Sequence, residues 1–178
     1  LISSIPVMII GFILAETGFI EKFRNIKIIA FTTIVFGVLL FISDKFKLEK
    51  SIDKNFTFLS ALFIGFFQIL SLVPGVSRSG IAITAARLLN FKRVEAGKIS
   101  FLISIPILGA VSIYGMKNII LSDNLSLSYF NIISILLSFF FSLITIKYFL
   151  KYINKFNLNV FVYYRIFLGL ILIMLAYS

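Results

Sequence analysis

Gln68-Ile-Leu-Ser-Leu-Val-Pro-Gly-Val-Ser-Arg-Ser-Gly80 decides how the rest of this chain is read. It sets a helix breaker, Pro74-Gly75, beside two serines and an arginine in otherwise apolar surroundings, and the next charge in either direction is Arg87, nine positions on. An arginine at membrane depth is costly unless something pairs with it. No acidic residue lies within twenty positions on its N-terminal side. The partner of Arg78 is therefore a bound anion or an acid from elsewhere in the fold.

Those surroundings are a membrane protein's. The 178 residues are 60% hydrophobic and 13% charged, with a mean hydropathy of +1.10, which excludes an ordinary soluble domain. A helix needs about 20 apolar residues to cross a bilayer, and several such runs are separated by short basic loops. The net charge of +10 does not point to nucleic acid, because the cations flank apolar spans, where the positive-inside rule expects them. Without Cys there is no disulfide framework, and without His a common metal ligand and general base is missing. The apolar run begins at Leu1 without the basic region and cleavage site of a signal peptide, and the start reads as clipped.

The expected fold class is an all-α membrane protein, a multi-span bundle with one re-entrant helical hairpin. Residues 1–15 form a short apolar helix with Pro6 near its start. A polar connector, Glu16 to Asn25, leads to a span over 26–43, and Asp44 to Asn55 is the most water-compatible segment. Residues 57–90 are long enough for one helix but are broken at Pro74-Gly75 and Gly80. Two half-helices of about 16 and 10 residues, joined by Val73 to Gly80, fit better, since irregular backbone at membrane depth is tolerated only inside protein or along a cavity. After the basic connector Phe91 to Ala96 come spans over 97–114, 129–150 and 160–177, linked by Lys117 to Ser128 and Lys151 to Asn159.

Ser4-Ile5-Pro6-Val7 recurs 100 residues later as Ser104-Ile105-Pro106-Ile107. Each copy is followed by a glycine, a connector, a Phe-rich span and a basic loop. This divides the single transmembrane domain into the remainder of a first repeat (1–56) and a second repeat (57–178) that owns the hairpin. Inverted repeats of this kind set functional sites at the midplane between broken helices. The first repeat's matching hairpin falls before Leu1, so the sequence reads as the C-terminal part of a longer protein.

Counting cations gives a topology. With a hairpin that enters and leaves on one face, Lys22, Arg24, Lys27 and Lys117 lie on one side. Lys45, Lys47, Lys50, Lys54, Lys92, Arg93, Lys98, Lys147, Lys151 and Lys155 lie on the other, which is expected to be cytoplasmic. The hairpin tip then points towards the outer face.

The loop has the ingredients of a phosphate cradle. Gly75 and Gly80 let the backbone approach a ligand, the amides opening the second half-helix favour an anion, Arg78 offers a two-pronged donor, and Ser77 and Ser79 offer hydroxyls. Either serine is also a nucleophile if a base is near. The bland alternative is a kinked helix whose serines bond to the preceding turn and whose Arg78 pairs structurally with a distant Glu. Arg87 reads as an arginine that snorkels to the interface. Arg165, between Tyr164 and Ile166, is either an interfacial anchor or a second phosphate contact. Gln68 contacts the loop or a ligand, or bridges helices. Glu16 and Glu21 read as solvated helix-end residues, and the many Phe residues as packing or lipid-facing.

Gly65 to Gly80, GFFQILSLVPGVSRSG, resembles the second signature of the undecaprenyl-diphosphatase family, also called the BacA bacitracin-resistance family, G-x-x-Q-x-x-x-x-x-P-G-x-S-R-S-G. The Ser-Ile-Pro segments and the Tyr164-Arg165 pair extend the resemblance over essentially the whole chain. It implies a bacterial inner-membrane enzyme that hydrolyses the diphosphate of a C55 isoprenoid lipid to the monophosphate, recycling the carrier for peptidoglycan synthesis. It also implies two inverted repeats, each with a re-entrant hairpin, and an active site facing outwards. On this sequence it makes Arg78 the holder of the diphosphate and Ser77 the catalytic candidate, as nucleophile or phosphate ligand. Ser79, Gly75 and Gly80 shape the loop, with Gln68, Thr84 and Arg165 as further substrate contacts. Where the family commonly has a Thr two residues after the final Gly, this chain has Ala82, with Thr84 further on. The family's acidic motif, expected to bind a divalent cation (Mg or Ca), has no counterpart in these residues.

The expected function is thus hydrolysis of undecaprenyl diphosphate, with these 178 residues alone inactive, membrane lipids as surroundings and a homodimer as one assembly. The alternatives are an anionic-lipid transporter or flippase using the loop only as a binding site, and a partner subunit whose other half comes from another chain.

Overall fold

The computed structural model describes residues 1–18, 23–46, 50–121 and 129–177, with side chains excepted over 117–121. A 3-10 turn, Ile2–Ser4, leads into α1, Ile5–Glu16, with Pro6 in its first turn. Next come α2, Ile26–Asp44, and the short α3, Ile52–Asn55. The two halves of the broken segment are α4, Phe58–Ile69, extended by a 3-10 turn over Leu70–Leu72, and α5, Arg78–Leu88. The chain ends with α6, Arg93–Leu121, α7, Tyr129–Lys155, and α8, Asn159–Tyr177. Among the described residues, four helices are long and apolar enough to cross a membrane: α2, α6 over Arg93–Met116, α7 and α8. This is an all-α membrane bundle.

The broken segment is a hairpin. A continuous helix of about 34 residues would be about 50 Å long, yet the rings of Phe56, before α4, and Phe91, after α5, have centroids 6.0 Å apart. The two half-helices pack against each other. The break falls at Val73–Ser77 and α5 already begins at Arg78, so the irregular stretch is shorter than the expected Val73 to Gly80. Each start has its cap: Thr57 Oγ1 accepts from the Ser60 amide at 3.2 Å and Ser77 Oγ from the Gly80 amide at 3.3 Å. At the far end Asn90 takes φ +67 and the Phe91 amide donates back to the Ala86 carbonyl, a left-handed helix stop that suits Asn.

The tip of the hairpin is docked on α2. Thr32 Oγ1 donates to the Pro74 carbonyl at 2.6 Å. Gly75 has φ +92, and a Cβ there would stand 2.6 Å from the Ile29 carbonyl oxygen. Only glycine allows both the turn and the approach.

The most extensive helix pair is α2 with α8. Gly37 faces Arg165 Cβ across the pair, and Gly169 faces Ile34 and the Ala30 carbonyl. Glycines at such a seam let two membrane helices approach closely. By contrast α7 buries only Ile153, and its Phe130, Ile135 and Phe139 are exposed.

The two Ser-Ile-Pro segments do meet, since Ser4 Oγ donates to the Ile103 carbonyl at 3.3 Å. They run in the same direction, however. Cβ atoms added at Gly65 and Gly11 would meet Ser3 and Leu72 respectively, so α1 runs alongside the upper part of α4 towards the hairpin tip, the direction in which α6 leaves the base. Relation by an axis in the membrane plane requires opposite directions, so these two copies are not inverted mates.

The described cations Lys45, Lys50, Lys92 and Arg93 flank the base, where Lys50 and Phe91 form a backbone bridge. Glu21, Lys22 and Lys47 lie outside the described residues, as does the Lys117 side chain.

Candidate functional site at the hairpin tip

Ser77 is held in a conformation that serine rarely adopts, φ +67 and ψ 117. Strain of this sort costs about 1–3 kcal/mol and persists where surrounding structure over-determines it. Here the determinants are the Thr32 and Thr33 contacts on one side and the start of α5 on the other. The result is that both serine side chains face out of the fold, with their hydroxyls 3.5 Å apart.

They face a cavity of about 540 Å³ between α2, α5, α7 and α8. Gly75, Ser77, Ser79, Gly80, Thr33, Tyr164 and Arg165 line its polar part, and leucine, isoleucine and phenylalanine line the remainder. Arg165 reaches this cavity from α8. Its Nη2 donates to the Val76 carbonyl at 3.1 Å, and its Nη1 is buried without a hydrogen-bond partner. A Cβ on Gly80 would lie 2.6 Å from Nη2, so Gly80 is what lets the guanidinium sit over the helix start. Of its two sequence readings, the interfacial anchor is corrected: Arg165 is at the serine cavity. An orphaned guanidinium N–H at this depth is costly and suits an anion.

Arg78 goes elsewhere. It lines a second, mainly apolar cavity of about 330 Å³, with residues of α1 and α6 and with Ser71, Leu72 and Tyr114. Its side chain makes no hydrogen bond or ion pair with the described residues; the ion pairs among them use Asp44 and Glu95. The tip therefore presents cations to two sides, Arg165 beside the serines and Arg78 towards α1 and α6.

Two further residues singled out in the sequence line neither cavity. Thr84 is buried and its hydroxyl donates to the Gly80 carbonyl at 2.8 Å, inside its own helix. Gln68 is buried with neither amide atom paired.

Arg87 does not snorkel. It is wholly buried: Nη2 lies 2.7 Å from Asp44 Oδ1 and 2.7 Å from the Asp44 carbonyl, and Nη1 donates to the Phe91 carbonyl at 3.1 Å. The helix stop at Asn90 folds the chain back and supplies that last acceptor, so a carboxylate and two carbonyls take the place of water at both Nη atoms, while Nε is buried without a partner. Asp44, read as part of a water-compatible segment, is buried too. Neither this pair nor the docking of the tip by Thr32 and Thr33 follows from local pattern, although adjacent threonines inside an apolar span were a visible signal.

The profile of the family described as bacitracin resistance protein BacA matches residues 1–171. The chain belongs to the BacA family. Its relatives include the undecaprenyl-diphosphatase of Pelagibacter ubique (strain HTCC1062), 50% identical over 179 residues that span all of this chain and 70% of the relative. That of Elusimicrobium minutum (strain Pei191) is 41% identical, covering 98% of this chain and 66% of the relative, and that of Tropheryma whipplei (strain TW08/27) is 38% identical, covering 98% and 63%. The chain thus spans about two thirds of the length of these relatives. All three names are of diphosphatases, and none supports the transporter alternative.

Proposed function

We propose that the BacA protein to which these residues belong hydrolyses undecaprenyl diphosphate to undecaprenyl phosphate and inorganic phosphate, and that the hairpin tip binds the diphosphate. The observation that carries the site is the half-buried Arg165 guanidinium, whose Nη1 is buried without a partner, beside two serine hydroxyls held out by a strained turn. The relatives' names supply the substrate.

In this reading Arg165, Ser77 and Ser79 hold phosphate oxygens from the serine side. The amides that open α5 lack helical acceptors and add their partial positive charge. Arg78, a cation of the turn itself without an acidic partner among the described residues, draws the head group from the other side. Charge builds on the bridging and terminal oxygens as the bond breaks, and donors already fixed in place stabilise it more than mobile water would. Water adds to the terminal phosphorus, the bridging P–O bond breaks, and the lipid phosphate leaves with the bridging oxygen. The chain has no His and the serine cavity is lined by no carboxylate among the described residues. Within these residues Ser77 thus has the role of a phosphate ligand, and none of the residues lining the cavity is a base that would activate it.

The divalent cation implied by the family resemblance finds no group of three or more Asp, Glu, His or Cys among the described residues, and no step is assigned to it. The apolar walls of the cavities suit the isoprenoid chain. The cation-rich base of the hairpin is assigned to the cytoplasm of a bacterial inner membrane by the positive-inside rule, which turns the tip outwards.

The test is phosphate release from undecaprenyl diphosphate by the full-length protein in detergent micelles. Arg165→Ala and Arg78→Ala are each expected to lose at least about 100-fold in kcat/KM, the scale on which oxyanion-stabilising donors act. Full activity in both variants would sink the site.

A further inference from the structure

Far from the serines, at the base of the hairpin, a single carboxylate ties four helices together. Asp44, the last residue of α2, has Oδ1 at 2.7 Å from Arg87 Nη2, near the end of α5, and at 2.9 Å from Arg93 Nε, the first residue of α6. Its Oδ2 accepts from the Leu158 amide at 3.2 Å. Leu158 caps α8, because its carbonyl accepts from the Phe161 and Val162 amides.

The numbering connects this level with the tip. Asp44 lies seven residues after Gly37, Arg87 seven after Gly80, and Leu158 seven before Arg165. Seven residues are two helical turns, about 10 Å. The three partners at the base are thus set, on their own helices, two turns from three residues that meet above them. There Gly37 faces Arg165 Cβ at 3.2 Å from its own added Cβ, and Gly80 faces the Arg165 guanidinium. Since α2 and α8 are antiparallel, fixing Asp44 on Leu158 fixes which residue of α8 sits over Gly37, and fixing Asp44 on Arg87 fixes the height of Gly80. A slip of one residue along α8 would move Arg165 by about 1.5 Å and turn it by about 100°.

We propose that Asp44 is a positioning residue for the hairpin-tip site: by locking α2, α5 and α8 in register at the base, it places the Arg165 guanidinium over Gly80 and beside Ser77. Its activity readout rests on the diphosphatase reading above, and a second readout does not.

The test uses the full-length protein in nanodiscs, with Asp44→Asn, Arg165→Ala and the double variant. Asp44→Asn is expected to lower kcat/KM for undecaprenyl diphosphate at least about 10-fold, and less than about 2-fold further when Arg165 is already Ala, because residues that act through one another are not additive. Equal losses in both backgrounds would overturn the proposal, as a general weakening of the fold would act on both alike. The chain has no Cys, so spin labels at Val38→Cys on α2 and Phe167→Cys on α8, both exposed, report the register directly. A shifted or broadened distance distribution in Asp44→Asn is expected, and an unchanged one overturns the proposal. Should Asp44→Asn fail to fold, Arg93→Gln replaces it. It leaves Arg87 paired and is expected to cost at least about 3-fold in the wild-type background and nothing in Arg165→Ala; equal costs there overturn the proposal. If the wild-type protein releases no phosphate, the diphosphatase reading fails and the spin-label distances alone decide on Asp44.

Discussion

At the base of the hairpin Arg87 is wholly buried and bonded to a carboxylate and two carbonyls, while at the tip Arg165 keeps a buried Nη1 without a partner and Arg78 touches no acid. Both ends belong to one short helix and to the helices packed on it. Burying a guanidinium is tolerable where protein groups replace its water. The base meets that condition at both Nη atoms of Arg87, leaving only its Nε without a partner, and with a carboxylate against the charge it reads as structure. The tip leaves it open, and an anionic head group would close it.

Substitutions that leave one buried charge alone at the base should have the largest effect. Asp44→Ala strands Arg87 and is expected to cost about 3–5 kcal/mol of stability, seen as a large fall in the thermal midpoint of the purified protein. At the tip the pattern should reverse. Arg165→Ala removes a side chain with one protein hydrogen bond and is expected to change stability by no more than about 1 kcal/mol, while phosphate release falls at least about 100-fold. A large loss of stability there would make Arg165 a structural residue like Arg87. Gly80→Ala sharpens the contrast further, because its Cβ would stand 2.6 Å from Arg165 Nη2. Displacing the guanidinium is expected to cost about 10-fold in kcat/KM, a scale of about 1.4 kcal/mol, with the helix itself intact.

A smaller effect of opposite sign is expected at Ser77. Glycine accepts φ +67 without strain, so Ser77→Gly should raise the unfolding free energy by up to about 1 kcal/mol while lowering activity. Smallest of all is Lys98→Ala, which removes a half-exposed pair with Glu95. It should shift stability by less than about 0.5 kcal/mol and leave activity unchanged.

How much of this was legible in the sequence follows from the range of each interaction. The helix break at Pro74-Gly75 is local, set by one proline and one glycine, so it could be read directly; the N-cap at Ser77 is as local, but the expected loop ran on to Gly80, past the helix start at Arg78. The hairpin was legible from the breaks at Pro74-Gly75 and Gly80 in one apolar segment, with modest support from the segregation of cations, and the Phe56–Phe91 contact agrees. The fate of each arginine was not. Arg87 and Arg165 have similar apolar neighbours in sequence, and what separates them is Asp44, 43 positions before Arg87, and Val76, 89 positions before Arg165. No periodicity carries such pairings. Arg78 sits between Ser77 and Ser79, and a linear reading puts all three on one ligand. The helix start at Arg78 turns its side chain towards α1 and α6 while the serines face α8. The Ser-Ile-Pro repeat was visible as a string, but the direction of its two helices came only from their packing.

The central claim is that the tip's unpaired cations await a diphosphate, and phosphate release measured side by side with thermal unfolding tests it most directly. For the full-length protein with undecaprenyl diphosphate, Arg165→Ala is expected to lose at least about 100-fold in kcat/KM and to melt within a few degrees of wild type. An Arg165→Ala protein that melts near wild type and still turns over at the wild-type rate would contradict the account.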